Sequence, residues 1–178
     1  MREGGDKTSP FFGKETIMVV YKTGDILSQQ NTTTVIGHQV NCMGAFGAGL
    51  AKQIRSKYPN AYGDYAIVCR MVQRDKLLGQ CTLSLAEGPY AGHPQARYVA
   101  HLFGQYRYGR GECFTDYTAL RAALTSLHDT AKKFGYSVSL PFGIGCGLAG
   151  GDWNTVNAII QEVFADNVVC EIWKMPTA

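Results

Sequence analysis

"LPFGIGCGLAGGDW", residues 140–153, decides how this chain is read. Five of its 21 glycines fall between Gly143 and Gly151. The stretch follows the short apolar run "YSVSLPF" (136–142) and leads into Trp153, Val156, Ile159, Ile160, Val163 and Phe164. That spacing of three and four is one helical stripe, and Asp152 stands where an N-cap belongs. The unit is therefore strand, bare loop, helix. "VNCMGAFGAGLAKQI" (40–54) repeats it: the strand "VIGHQV" (35–40) runs into Gly44, Gly47 and Gly49, and Leu50, Ile54 and Tyr58 mark a helix stopped by Pro59.

The remaining segments alternate in the same way. "IMVVYK" (17–22) reads as a strand ended by Thr23-Gly24-Asp25, a helix is expected over about 60–73, and "CTLSLAE" (81–87) and "RYVAHLF" (97–103) read as strands. From Thr115 to Phe134, Tyr117, Leu120, Leu124, Leu127 and Ala131 make the longest helical stripe, with Gly135 placed as its C′ residue. "VVCEIW" (168–173) closes the chain as a strand. The order ββααββαβαβ predicts an α/β fold with a mixed, largely parallel sheet of about six strands.

Composition narrows the class. With 178 residues, 46% hydrophobic and 17% charged, the chain suits one globular domain, taken as 17–178, after a flexible extension over 1–16. "MREGGDKTSPFFGKET" has no apolar h-region of a secretory signal, no run is apolar enough for a membrane span, and a cytoplasmic monomer is expected. Cys42, Cys69, Cys81, Cys113, Cys146 and Cys170 show no CxxC and no zinc spacing, so reduced, packed thiols and no metal or cofactor are expected. A net charge of +3 is too small to imply nucleic acid by itself and suits a small anionic ligand equally well.

In α/β sheets, ligands bind outside the carboxyl ends of the strands, where both glycine loops emerge. Glycine lets backbone N–H groups approach a ligand, and a helix N-terminus adds unpaired donors. Two such loops suit a diphosphate. Neither contains GxxxxGK[ST]. Gly145-Cys-Gly147-Leu-Ala-Gly150 is formally GxGxxG but lies late in the chain without the acidic residue a dinucleotide site needs, which argues against a nicotinamide oxidoreductase.

"GDI" (24–26), "HQVNCMGAFGAGLAKQI" (38–54), "LLGQC" (77–81), "LFGQYRYGR" (102–110), "YTALRAAL" (117–124) and "GIGCGLAGGDW" (143–153) together resemble the landmarks of a macrodomain, in family order over about 18–174. The nearest branches are the ADP-ribose 1″-phosphate phosphatases and the terminal ADP-ribose glycohydrolases. The resemblance implies a three-layer α/β/α sandwich with an ADP-ribose cleft. It implies Asp25, with Ile26, at the adenine, Trp173 against the adenine face, and Asn41 at the distal ribose. Gly47, Ala48, Gly49, Ile144, Gly145, Cys146, Gly147 and Leu148 would form the diphosphate and ribose walls. Each side chain also has a local explanation: Asp25 a turn, Trp173 core packing, Asn41 a bond to its own loop.

The resemblance implies hydrolysis at the distal ribose, with His38, Asn41 and Asp152 as the catalytic set. The glycohydrolase branch uses a lysine and an aspartate, but Gln105 and Ala149 stand at those positions. Gln105 cannot form a covalent adduct with the anomeric carbon, so attack by water is expected. His38 suits a base near neutral pH, or is simply a satisfied strand histidine. Asp152 is a second acid–base group or a helix cap. "QYRYGRGE" (105–112) is read as a flap over the distal ribose or as a solvated loop. Two rivals stay open: a reader that binds ADP-ribose without turnover, and an enzyme removing ADP-ribose from nucleic acid.

Overall fold

The chain is described by a computed structural model over residues 19–89 and 95–177. The expected extension over 1–16 lies outside the described residues.

Eleven elements follow in order: β1 (Val19–Thr23), β2 (Val35–Asn41), α1 (Gly49–Lys57), α2 (Pro59–Met71), α3 (Arg74–Leu77), β3 (Cys81–Glu87), β4 (Arg97–Gln105), α4 (Tyr117–Phe134), β5 (Val138–Pro141), α5 (Trp153–Val163) and β6 (Cys170–Lys174). The expected order holds, with the single-turn α3 added. Pro59 does more than stop α1: it opens α2 at the first helical position, where its missing N–H is not needed. The stripe of α4 buries Leu120, Leu124, Leu127 and Ala131, Asp116 caps it by accepting from the Ala119 N–H at 2.9 Å, and Gly135 closes it with φ 69°.

The strands form one sheet in the order β1-β6-β5-β2-β4-β3, with only β3 antiparallel to its neighbour. Alternation along the central strand sends its side chains to two separate cores. Ile36 and Val40 meet Ile54, Tyr58, Ala61 and Tyr65 from α1 and α2. Val35 lies with Leu120, Leu124, Val156 and Ile160 from α4 and α5. The result is the expected three-layer sandwich.

The ladders flanking β2 are unequal. Towards β4, β2 pairs from Val35 to Asn41, with a register shift between Gln39 and Asn41. Towards β5 only Val35–Val138 and Ile36–Ser139 pair, after which the strands part. Below the parting, Asn31 and Thr33 are buried and bonded to the Ser139 hydroxyl at 3.0 and 2.8 Å, so the amino end of the sheet is closed by a satisfied polar cluster.

A second polar cluster fastens α4 to the turn after α5. His128 Nε2 meets Asp166 Oδ1 at 2.7 Å, His128 Nδ1 meets Asp129 Oδ1 at 3.0 Å, and Lys132 donates to Asp166 Oδ2 at 2.7 Å. Burial pulls the His128 pKa down, but Asp166 and Asp129 outweigh it and the net shift is upward from 6.5. Asp166 is held below its usual 3.8 by Lys132 first and His128 second. A raised histidine adds stability that is complete below its unfolded value and lost as pH rises through the folded value. A depressed carboxylate adds stability present above its unfolded value and lost in acid. The cluster therefore contributes most between about pH 4 and 6.5, the two ordinary values. The melting-temperature difference between wild type and Asp166→Asn, followed by circular dichroism, is expected to be larger at pH 6 than at pH 8.5. An equal difference would remove His128 from the linkage.

Candidate functional site

Where β2 and β5 part, their carboxyl ends open into a cleft of about 900 Å³. Gly47, Ala48 and Gly49 line one wall, and Ile144, Gly145, Gly147 and Leu148 the other. The two glycine loops, distant in sequence, thus face each other. Among the described residues no carboxylate lines the cleft, and the formal charges there are Arg55, stacked 4.1 Å over the Tyr62 ring, and Arg110. Gly49, Leu50 and Ala51, the first residues of α1, belong to the same wall. Ala48 supplies no side-chain cap, the first turn carries no acid, and the first intrahelical donor is Lys52 N–H to Ala48 O. The free N–H groups and positive end of α1 therefore serve the cleft. This is a site for an anion.

The glycines divide into two kinds. A Cβ at Gly145 would lie 2.6 Å from Gln39 Oε1, and one at Gly151 would lie 2.6 Å from the Gly145 carbonyl oxygen. These are demanded by the loop's own packing. Gly47 and Gly147 have no left-handed φ, and nothing lies within 4 Å of a Cβ built there. The fold does not require glycine at those two positions, one on each wall. Side chains there would occupy the cleft itself.

Asn41 lines the cleft and also ties its own loop. Its Oδ1 accepts from the N–H groups of Met43 (2.9 Å) and Ala45 (3.2 Å), and its Nδ2 donates to Ala45 O at 2.8 Å. An amide nitrogen carries two donors, so one remains for a ligand. His38 lies on the cleft floor, its ring edge-on to Phe46 at 5.2 Å. Burial first, and His101 second, hold its pKa well below 6.5, so it is neutral at pH 7.

Other expected residues are not brought into the cleft. Asp152 caps α5, accepting from the Thr155 N–H and hydroxyl at 2.8 Å each, and those bonds lower its pKa. The geometry gives it the capping role, with its carboxylate outside the cleft lining. Cys146 turns its Sγ to Ile144 O at 3.3 Å, and burial, with Asp152 and Cys113, pushes the thiol up to about 11. It is a protonated packing thiol between two lining residues. Asp25 is exposed, with Oδ1 accepting from Leu27 N–H at 2.8 Å in a turn. Ile26 is buried in the core, as is Trp173, whose indole N–H donates to Glu171 at 2.9 Å. These three sit at the ends of β1 and β6, beside the cleft's edge at Phe142, whose N–H donates to Trp173 O at 2.8 Å.

Gln105 and Ala149 do line the cleft. Gln105 is latched: Gln39 Nε2 donates to its Oε1 at 2.8 Å, and its own Nε2 donates to Arg107 O at 2.9 Å. The 105–112 loop splits its arginines. Arg107 pairs with Glu112 at 3.1 Å and lies over Phe114, whereas Arg110, with Tyr108 and Gly109, faces the cleft. Sequence reading missed Gln39, Phe46 and Tyr62, and it missed His101 as a partner of His38. Gln39 was detectable as an uncharged polar residue in a buried strand; the other contacts depend on strand register and helix packing.

Among the described residues no group of three or more His, Cys, Asp or Glu could hold a metal ion, and no helix is long and apolar enough to cross a membrane. Comparison with known proteins adds three likenesses. The Saccharomyces cerevisiae ADP-ribose 1″-phosphate phosphatase is 37% identical over 65 residues, 36% of each chain, so the match spans about a third of that relative. The Scheffersomyces stipitis protein of the same name is 28% identical over 165 residues, covering 82% of this chain and 94% of that one. The macrodomain of Mycobacterium tuberculosis DarG superposes with a TM-score of 0.71 at 21% identity, covering 90% of this chain and 99% of that one, a likeness of fold. The macro domain family model matches residues 38–160, more than half of the chain. Two facing glycine loops at the parted ends of a six-stranded mixed sheet, and that match across both of them, place the chain in the macro domain family.

Proposed function

We propose that this protein binds ADP-ribose in the cleft and hydrolyses the bond that joins a further group to the distal ribose. The observation that carries the reading is an anion-receptive cleft, lined by no carboxylate among the described residues, walled by backbone at Gly47 and Gly147 and floored by a neutral histidine. The diphosphate lies between the two loops at the N-terminus of α1, where unpaired N–H groups meet its charge. The adenine lies towards β1 and β6, near Asp25, Ile26 and Trp173, and the distal ribose towards Asn41 and Gln105. The name of the yeast relatives favours ADP-ribose 1″-phosphate as substrate. O-acyl-ADP-ribose and ADP-ribose esterified to a protein carboxylate offer water an acyl ester on the distal ribose in place of the phosphate ester.

His38 takes one proton from a water as that oxygen attacks the phosphorus or acyl carbon at the 1″ position. The bond from the ribose oxygen to that atom breaks, and the ribose oxygen leaves with a proton. General-base assistance of this kind supplies about 10²–10⁴ in rate. Gln105, held by Gln39 and Arg107, cannot act as a nucleophile, so no covalent sugar adduct forms. Arg110 is the cation available at the distal end.

Phosphate release from ADP-ribose 1″-phosphate, with calorimetry on ADP-ribose, tests both halves. His38→Ala is expected to lower kcat by about 10²–10⁴ while retaining ADP-ribose affinity. Wild-type kcat should stay level from pH 8 down to pH 6.5, because His38 protonates only well below that value. Binding without release would make the protein a reader, and turnover only of ADP-ribosylated oligonucleotides, falling with salt, would make nucleic acid the substrate.

The glycine analysis gives a separate expectation. Gly47→Ala and Gly147→Ala should unfold in urea at nearly the wild-type midpoint, yet bind ADP-ribose at least about tenfold more weakly, a difference of about 1.4 kcal/mol. Unchanged affinity in both variants would move the ligand out of the space between the loops.

A further inference from the structure

The floor of the cleft holds a second histidine that the proposed chemistry has not used. His101, opposite His38 on the neighbouring strand, is buried, and its Nδ1 lies 2.9 Å from His38 Nε2. Its Nε2 lies 3.1 Å from the hydroxyl of Ser84, itself buried on β3. Phe46 packs against both rings, at 5.2 and 5.9 Å, and Tyr65 lies 5.6 Å from His101. Among the described residues no carboxylate acts on either ring. Burial lowers both pKa values, His101 to about 4, so both rings are neutral at pH 7 and each carries one proton.

Two neutral imidazoles sharing a 2.9 Å contact must place one N–H between them, and a base role for His38, which needs a bare Nδ1 on the cleft side, assigns that proton to His38 Nε2. His101 Nδ1 accepts it, so the single proton of His101 sits on Nε2, within reach of the Ser84 hydroxyl oxygen at 3.1 Å. His101 Nδ1 is then a bare lone pair, and the bridging proton belongs to His38 Nε2. Among the described residues His38 Nδ1 has no protein partner, and the ring lines the cleft.

We infer that His101 is a positioning residue, supported by Ser84, which fixes His38 as the Nε2–H tautomer and so presents a bare Nδ1 to the cleft as proton acceptor. The inference rests on the reading of His38 as the base. It assigns to the edge strand β3, remote from both glycine loops, a part in setting the chemistry.

Long-range ¹⁵N–¹H correlation of the histidine rings in the uniformly labelled protein at pH 7 tests this without any substrate. The expected spectrum shows Nε2 protonated and Nδ1 bare on both His38 and His101. A proton on His38 Nδ1 overturns the inference. His101→Leu removes the acceptor and should mix the His38 tautomers and lower kcat on ADP-ribose 1″-phosphate about 10–100-fold with KM unchanged, the scale known for the outer partners of metal-bound histidines. His101→Gln, whose carbonyl oxygen can accept from His38 Nε2, should restore both. An unchanged tautomer and kcat in His101→Leu also overturns it. Should the leucine variant fail to fold, the wild-type spectrum still decides. Should the wild type release no phosphate, that finding strikes the proposed activity, and the spectrum still reports the tautomer.

Discussion

The site exists because one ladder stops early. β2 and β5 share only two paired positions and then separate, while β2 and β4 remain together to Asn41 and Gln105. A parallel sheet that kept all its bonds at this point would leave no room between the loops above it. The parting lies where the strand order reverses, with β5 and β6 leading away to one side and β4 and β3 to the other. That is the place where open α/β sheets admit ligands. Gly37 stands at the parting, where the Leu140 side chain fills the space a side chain on β2 would take: a Cβ there would lie 2.7 Å from its Cδ2.

From that point β2 serves two layers at once. His38 faces the layer of α1 and α2, among aromatic rings on the cleft floor, and the next residue, Gln39, faces the layer that begins with α4. Gln39 Nε2 donates to Gln105 at 2.8 Å and to the Thr115 hydroxyl at 2.9 Å, and Thr115 donates on to Gly145 O at 2.6 Å. This chain of bonds joins the central strand, the end of β4, the start of α4 and the second glycine loop. Gly145 and Gly104 leave the space the Gln39 amide needs, since a Cβ on either would come within 2.7 Å of its oxygen. Gly145, which looks like a ligand contact in the sequence, is thus also a space for a glutamine. The loop's shape and the ligand's room are separate demands met by neighbouring residues.

The fold was legible because its signals are local and periodic. The stripe of α4, the cap Asp116 and the stop at Gly135 lie within one segment, and the alternation of strand and helix already implies layers around a parallel sheet. The strand–loop–helix repeats also placed both glycine loops at the carboxyl ends of strands. Less could be read where meaning depends on a partner distant in the chain. Asp152 carries a capping signature and a catalytic resemblance at once, and the distances to Thr155 gave it the cap. Arg107 and Arg110 are indistinguishable in the sequence, yet one is paired with Glu112 and the other faces the cleft. The pairing of His38 with His101 needs the register of β2 against β4, which no single-strand pattern contains.

The loop that carries Tyr108 and Arg110 stands as an arch with both feet tied by main-chain atoms. At one foot Cys42 N–H donates to Tyr106 O at 3.0 Å; at the other, the Phe114 and Thr115 N–H groups donate to Ala149 O at 2.7 and 3.2 Å. Backbone bonds do not depend on which side chains stand between them, so residues 107, 108, 110 and 112 can be exchanged without loosening the arch from its footings, while Gly109, packed under Phe114, and Gly111, with φ 85°, hold its bend. Natural selection is thereby offered a short cassette that borders the cleft while contributing little to the core. Descendants of this chain could reshape that border of the cleft by rewriting a few codons, with the scaffold beneath left intact.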